Sequence, residues 1–239
     1  MMRLDRFVAE TTELSRSQAA RAIRSGSVSV NGVPERAPDR KLDEHSDEVR
    51  CCGQLCVYRK FFYYLLNKPT GVITASKDPK QKTVLDLFPP EIRKHGIFAV
   101  GRLDKDTAGL LLVTNDGTFA HRVIAPASGI DKVYAATVEG TPTEEDAARF
   151  REGLELSDGT RCLPAELVVT GGNECLVTVQ EGKYHQVRRM LAAVGKPVKT
   201  LCRISLGGIE LDQSLEPGQY RELTEYELCI LFKALHMEK

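Results

Sequence analysis

The sequence predicts an α+β protein in two parts: a small N-terminal unit of two helices and a hairpin, then a larger unit with a mainly antiparallel sheet and flanking helices. Three observations carry this. Apolar residues near the N-terminus recur at helical spacing and give way to an alternating run ended by Asn31-Gly32. From Phe61 onward the chain changes to short β-rich runs. Helical stretches interrupt those runs irregularly and do not alternate with them, which favours a segregated α+β layout over a parallel α/β sheet.

In chain order, Leu4, Phe7 and Val8 share one helical face, and Ser15 followed by Gln18 forms a capping-box start for a second helix through Ile23, closed at Gly26. Val28-Ser29-Val30-Asn31-Gly32-Val33 alternates apolar with polar residues around the strongest short hairpin signal. The stretch from Cys51 to Arg59 mixes Gly, Gln and charge and is expected to be a linker, dividing the chain into units 1–57 and 58–239. Strands are then expected at 61–66, 72–74, 97–100, 110–114, 133–138, 167–170 and 176–179. Helices are expected at 143–154, 185–193 and 224–235, the first and last opening with Thr and then Glu. Asn115-Asp116-Gly117 reads first of all as a turn.

Composition narrows the function classes. A chain of 239 residues with 42% hydrophobic content can bury a sizeable core. Met1 to Glu10 carries charge early and has no long apolar run, so it does not read as a signal peptide. No stretch reaches the roughly 20 apolar residues a spanning helix needs, so no membrane partner is expected. The seven cysteines are odd in number and lack a Cys-x-x-Cys pair, which argues against a disulfide framework or a zinc site and for thiols in a reducing cytoplasm. The formal net charge is zero, less basic than bulk electrostatic binding of nucleic acid would favour. Distribution can offset this: Lys183, Arg188, Arg189, Lys196, Lys199 and Arg203 crowd one segment, and Arg16, Arg21 and Arg24 sit in or beside the second helix, where they could face phosphates.

Arg3-Leu4-Asp5-Arg6-Phe7, Ser15-Arg16-Ser17-Gln18-Ala19 and Gly26-Ser27-Val28-Ser29-Val30-Asn31-Gly32 resemble the alpha-L RNA-binding module, over about residues 1 to 50. In the larger unit the run from Gly101-Arg102-Leu103-Asp104 to Asn115-Asp116-Gly117 resembles the catalytic motif of the RsuA-type pseudouridine synthases. On residue types alone that run is an ordinary charged loop between apolar runs. Asn67-Lys68-Pro69-Thr70-Gly71, Lys132-Val133-Tyr134, Glu181-Gly182-Lys183-Tyr184-His185-Gln186-Val187-Arg188-Arg189-Met190, and the stretches Arg203 to Ile209 and Leu215 to Arg221 match the same family in the same order.

The resemblance implies an isomerase that breaks the bond from ribose C1′ to uracil N1 and remakes it to C5. That change has no redox component and no cofactor is expected. Asp104 fills the family's position for the essential carboxylate, which can attack the nucleoside or take a ribose proton. Arg188 fills the position whose guanidinium pairs with that carboxylate and keeps it ionised against burial. Tyr134 offers a flat face to a uracil flipped from the stack. Arg102 is expected to take the space the base vacates or to grip its phosphate. Lys183, Gln186 and Arg189 are expected to bind substrate, as are Arg16, Arg21 and Arg24 of the small unit. His185 is expected to contact RNA or pack locally and not to act as a base. Ala108 departs from the family's usual Ser or Thr, which implies retuning.

Lys183-Tyr184-His185-Gln186 and Gly207-Gly208-Ile209-Glu210-Leu211 look like family members acting on small-subunit rRNA. The expected substrate is therefore one uridine of 16S rRNA, at the uridine-516 site, on RNA or on a small-subunit assembly intermediate, modified by a monomer in the cytoplasm. A 23S rRNA target in the same family, or a non-catalytic rRNA-binding protein, are the alternatives.

Overall fold

The computed structural model describes residues 1–43 and 46–237. It divides the chain into two compact units, Met1–Phe61 and Phe62–Lys239.

The first unit runs β1 (Met2–Arg3), α1 (Leu4–Thr11), α2 (Arg16–Arg24), β2 (Val28–Val30), β3 (Val33–Glu35), β4 (Lys41–Leu42), β5 (Val49–Cys51) and β6 (Gln54–Cys56). β1 pairs with β4, and the other strands form a four-stranded sheet in the order β3-β2-β5-β6. Leu4, Phe7 and Val8 of α1 and Ala19 and Ile23 of α2 are buried against Val28, Val30 and Val49, so the helical and alternating patterns meet in one core. Ser15 caps α2 reciprocally: its Oγ accepts from Gln18 N, and Gln18 Oε1 accepts from Ser15 N at 2.8 Å. Asn31 and Gly32 make the β2–β3 turn with φ of 52° and 78°, the left-handed pair that a tight hairpin requires. The expected linker from Cys51 is corrected here. Cys52 and Gly53, with φ of 50° and 79°, turn a second hairpin, and Cys51 and Cys56 bury their thiols beneath it.

The second unit runs β7 (Tyr63–Lys68), α3 (Pro90–Arg93), β8 (Phe98–Ala99), β9 (Thr107–Thr114), α4 (Gly117–Ile124), β10 (Lys132–Val138), α5 (Glu144–Glu152), β11 (Glu166–Gly171), β12 (Glu174–Val179), α6 (Gln186–Ala193), β13 (Val198–Leu206), β14 (Ile209–Glu210), β15 (Tyr220–Glu222) and α7 (Glu225–Ala234). Its nine strands form one sheet along the path β11-β12-β10-β13-β9-β7-β15, with β14 on β13 and β8 on β9. Every pairing is antiparallel except β13 with β9. Along β9, Leu110 and Leu112 enter one core with Phe119 and Leu231, while Leu111 and Val113 enter another with Leu66 and Phe88. Both faces of the strand are covered, which is why its sequence is a continuous apolar run.

Two local expectations differ from the structure. Residues 72–74 form no strand; Ile73 makes an isolated bridge to Thr83. Asp116 does not begin a turn but caps α4, its carboxylate accepting from Phe119 N at 3.0 Å and from Tyr63 Oη at 2.8 Å. An Asp side chain reaching forward to a backbone N–H serves a turn or a helix start equally. The buried Phe119, Ala120 and Val123 decide for the helix.

Where β9 and β13 run parallel they approach closely at Gly109, which has φ of 100° and where a Cβ would lie 2.3 Å from Arg203 O. Only glycine fits that position. This contact holds the start of β9, and the loop before it, against β13.

Candidate active site

The loop between β8 and β9 carries Arg102 and Asp104, and its backbone is held almost residue by residue. Thr74 Oγ1 donates to Leu103 O at 2.7 Å and accepts from Leu103 N at 3.2 Å. Lys68, at the end of β7 and 0% exposed, aims its ammonium at the carbonyls of Pro69 (3.0 Å), Asp104 (3.1 Å), Lys105 (3.4 Å) and Thr107 (2.9 Å). Gly71 N also donates to Lys105 O, Thr107 N to Asp104 O, and Arg188 Nη2 to Asp106 O at 3.0 Å. Five consecutive carbonyls, from Leu103 to Thr107, thus have donors, and the Asp104 side chain is presented from a fixed backbone.

That side chain faces a cleft open to solvent. From the sheet come Tyr134 on β10 and Leu201 on β13; from the loop come Arg102, Asp104 and Thr107; from the turn into α6 and its first residues come Lys183, His185, Gln186 and Arg188. The cleft is lined by the polar Arg102, Asp104, Lys183, His185, Gln186 and Arg188 and by the apolar Tyr134, Val179, Val187 and Leu201, the mixture expected where a flat polar ring is bound. Glu181 braces the α6 turn. It is 8% exposed and accepts from Leu163 N and Gln186 Nε2 while pairing with Lys183. Burial pushes its carboxyl up, but Lys183 and these donors outweigh burial and hold it below the ordinary range.

Six of the expected residues, Arg102, Asp104, Tyr134, Lys183, Gln186 and Arg188, therefore line one cleft. Several of their expected partners differ. The Arg188 guanidinium sits on the Asp106 carbonyl, and among the described residues no ion pair joins it to Asp104. The turn from Asp104 to Thr107 brings that carbonyl toward α6. The group beside the Asp104 carboxylate is instead His185, with Nε2 3.4 Å from Oδ1. Lys183 pairs with Glu181 and Arg189 with Asp158, so both cations already have an acidic neighbour. In the first unit Arg16 lies 3.5 Å from Asp5, whereas Arg21 and Arg24 are exposed on α2 with no ion pair among the described residues.

Sequence reasoning did not single out Thr74, Leu201 or the task of Lys68. A lysine is almost never fully buried unless its charge is satisfied, and nothing in Asn67-Lys68-Pro69 announces the carbonyl cage. Burial pushes its pKa down to about 8, against the opposing pull of Asp104 and Asp106.

Residues 62–193 match the family model described as RNA pseudouridylate synthase, and residues 2–49 match the S4 domain. A solved structure described as "Crystal structure of pseudouridylate synthase" superposes with a TM-score of 0.68 at 35% identity, covering 97% of this chain and 100% of that one. The fold and the site together define an RNA-modifying isomerase carrying an S4 domain. The chain is 40% identical to the ribosomal small subunit pseudouridine synthase A of Escherichia coli, over 95% of this chain and 99% of that one. It is 39% identical to the protein of that name from Vibrio cholerae, over 97% and 100%. To the uncharacterized RNA pseudouridine synthase YtzG of Bacillus subtilis it is 39% identical, over 96% and 98%. This chain belongs to the RNA pseudouridylate synthase family.

Proposed function

We propose that this protein converts one uridine of small-subunit ribosomal RNA to pseudouridine, at the uridine-516 site of 16S rRNA, with Asp104 as the essential carboxylate. It acts as a cytoplasmic monomer on the RNA or on an assembly intermediate of the small subunit. The substrate reading rests on near full-length similarity to enzymes named for the small subunit. The observation that carries the site assignment is the cleft in which Asp104, Tyr134 and Arg188 converge from three separate segments, Asp104 on a stretch whose carbonyls from Leu103 to Thr107 are all engaged.

The reaction moves C1′ from N1 to C5 of the same uracil, with a proton lost from C5 and one gained at N1. A target uridine leaves the stack so that its ring lies against Tyr134, with Leu201 closing the apolar side. Asp104, half-exposed in the cleft, then reaches the sugar. Arg188 ties α6 to the Asp106 carbonyl, two residues from Asp104, and acts through the loop that presents the carboxylate. Arg102, exposed at the mouth and with no ion pair among the described residues, meets the phosphate of the displaced nucleotide. Exposed Arg21 and Arg24 of α2 contact RNA backbone.

The test is to map pseudouridine across rRNA from cells lacking the protein, complemented by the intact gene or by Asp104→Asn. Loss of a single 16S site, restored only by the intact gene, is the expected result. Loss of a 23S site instead would move the target to the large subunit. Restoration by Asp104→Asn would remove the carboxylate from its role and favour an RNA-binding protein without catalysis.

A further inference from the structure

The turn into α6 holds an aromatic pair that the chemistry above leaves unused. Tyr184 and His185 stack with ring centroids 3.9 Å apart and planes 16° from parallel. One end of this stack is anchored in the site, because His185 Nε2 lies 3.4 Å from Asp104 Oδ1. The other end is open: Tyr184 is 76% exposed, and among the described residues its hydroxyl has no hydrogen bond.

A loose loop does not explain that exposure. Gln186 Oε1 accepts from Lys183 N at 2.9 Å, Gln186 N donates to Lys183 O at 3.1 Å, and Arg189 Nη1 donates to Tyr184 O at 3.3 Å. Buried Glu181 ties the same turn to Leu163 N. His185 moreover adopts φ 49° and ψ 34°, a left-handed conformation that costs a non-glycine residue energy and persists only where its surroundings enforce it. The strained turn lays imidazole and phenol in register, with the outer face of Tyr184 toward solvent beside the cleft mouth. A tyrosine left exposed on a braced backbone has prepaid its ordering, as a stacking platform requires.

We propose that Tyr184 is a stacking platform for an unpaired RNA base adjacent to the flipped uridine, with His185 as the ring beneath it. The proposal rests on the reading of the cleft as the site that receives the target uridine. Flipping breaks the stack of the target with its neighbour, and the neighbour is left with one bare face. Tyr184 covers that face from the residue next to His185, and Arg102 and Arg188, neither in an ion pair among the described residues, line the cleft that receives the target. The contact is indifferent to which base is present, because every base has a π-face.

The test is single-turnover kinetics of the full-length protein on the rRNA segment identified by mapping. It compares the intact chain, Tyr184→Phe and Tyr184→Leu, each with an intact segment and with segments abasic at the nucleotide 5′ or 3′ of the target. With intact RNA, Tyr184→Leu is expected to raise the half-saturating concentration about tenfold, the order of one base–aromatic stack. The rate at saturation should stay within about twofold, and Tyr184→Phe should behave as the intact protein. One abasic segment should bind the intact protein as weakly as Tyr184→Leu binds intact RNA, with no further loss when the two are combined. Unchanged binding by Tyr184→Leu, or losses that add at both abasic positions, would overturn the proposal. Thermal unfolding of Tyr184→Leu should match the intact chain, since the ring is largely outside the core. If the reading of the site itself is wrong, either the intact protein fails on the mapped segment or Asp104→Asn retains its activity there, outcomes separate from any Tyr184 effect.

Discussion

Lys68 shows how one residue sets the site without facing the substrate. Its ammonium offers three protons to four carbonyls, three of them on the loop that carries Asp104. Replacement by methionine keeps the volume and removes the donors, leaving the Pro69 and Thr107 carbonyls without this partner. The expected outcome for Lys68→Met is a fall in kcat of at least about tenfold with a smaller change in KM, since binding surfaces remain while the loop loosens. Linkage gives a second readout. Burial holds the Lys68 pKa at about 8 in the folded protein, against about 10.4 in the unfolded chain. The folded state therefore binds fewer protons between these values, and stability rises with pH across that window. The Lys68 contribution is complete above about pH 10.4 and lost as pH falls through about 8. Urea unfolding at pH 7.5, 9 and 10 should show the intact protein gaining on Lys68→Met as pH rises; a flat difference would place the lysine outside that titration. Lys132, also pushed down to about 8 by burial, titrates in both proteins and cancels from the difference.

At the scale of elements, three helices carry their caps in the sequence, whereas α1 and α6 have no side-chain cap. Ser15 with Gln18, Thr143 with Asp146 and Thr224 with Glu227 all close reciprocal capping boxes, and each lay in the sequence as a pair three residues apart. The α4 start did not, because Asp116 before Gly117 reads equally as a turn until Phe119 finds its core. The β5–β6 hairpin was hidden for a similar reason: polar and glycine residues suit a linker until Cys51 and Cys56 are seen to pack inward. On α2, Arg21 and Arg24 are three residues apart, exposed and without ion pairs among the described residues. Each neutralised RNA phosphate contributes about 0.7 to the slope of log K against log salt for single strands and about 0.9 for duplex. Replacing both arginines by alanine should therefore lower the slope by about 1.5, with stability within about 0.5 kcal/mol. An unchanged slope would remove α2 from the RNA contact.

The whole molecule is two units, each with its own buried cluster. The stretch between β6 and β7 has no regular structure and exposes Val57, Arg59, Lys60 and Phe61. Brief trypsin digestion should cut first after Arg59 or Lys60 and leave two protected fragments, because cleavage needs an exposed segment that can enter the protease. A first cut inside either unit would contradict independent cores. The neutral total charge is compatible with RNA binding because acid is used locally, Glu181 and Asp158 on Lys183 and Arg189, while Arg102, Arg21 and Arg24 are exposed and make no ion pair among the described residues. The two-part α+β organisation, the hairpin at Asn31-Gly32, the central apolar strand and six of the residues that meet in the cleft were legible in the residues alone. Those features depend on local spacing, turn chemistry and motif order, which are properties of neighbours in the chain. Three contacts emerged from folding alone: Lys68 on the carbonyls of the Asp104 loop, Arg188 on the Asp106 carbonyl, and His185 beside Asp104. Such contacts join residues far apart in sequence, and their partners are backbone carbonyls and rotamers, which residue identity does not specify.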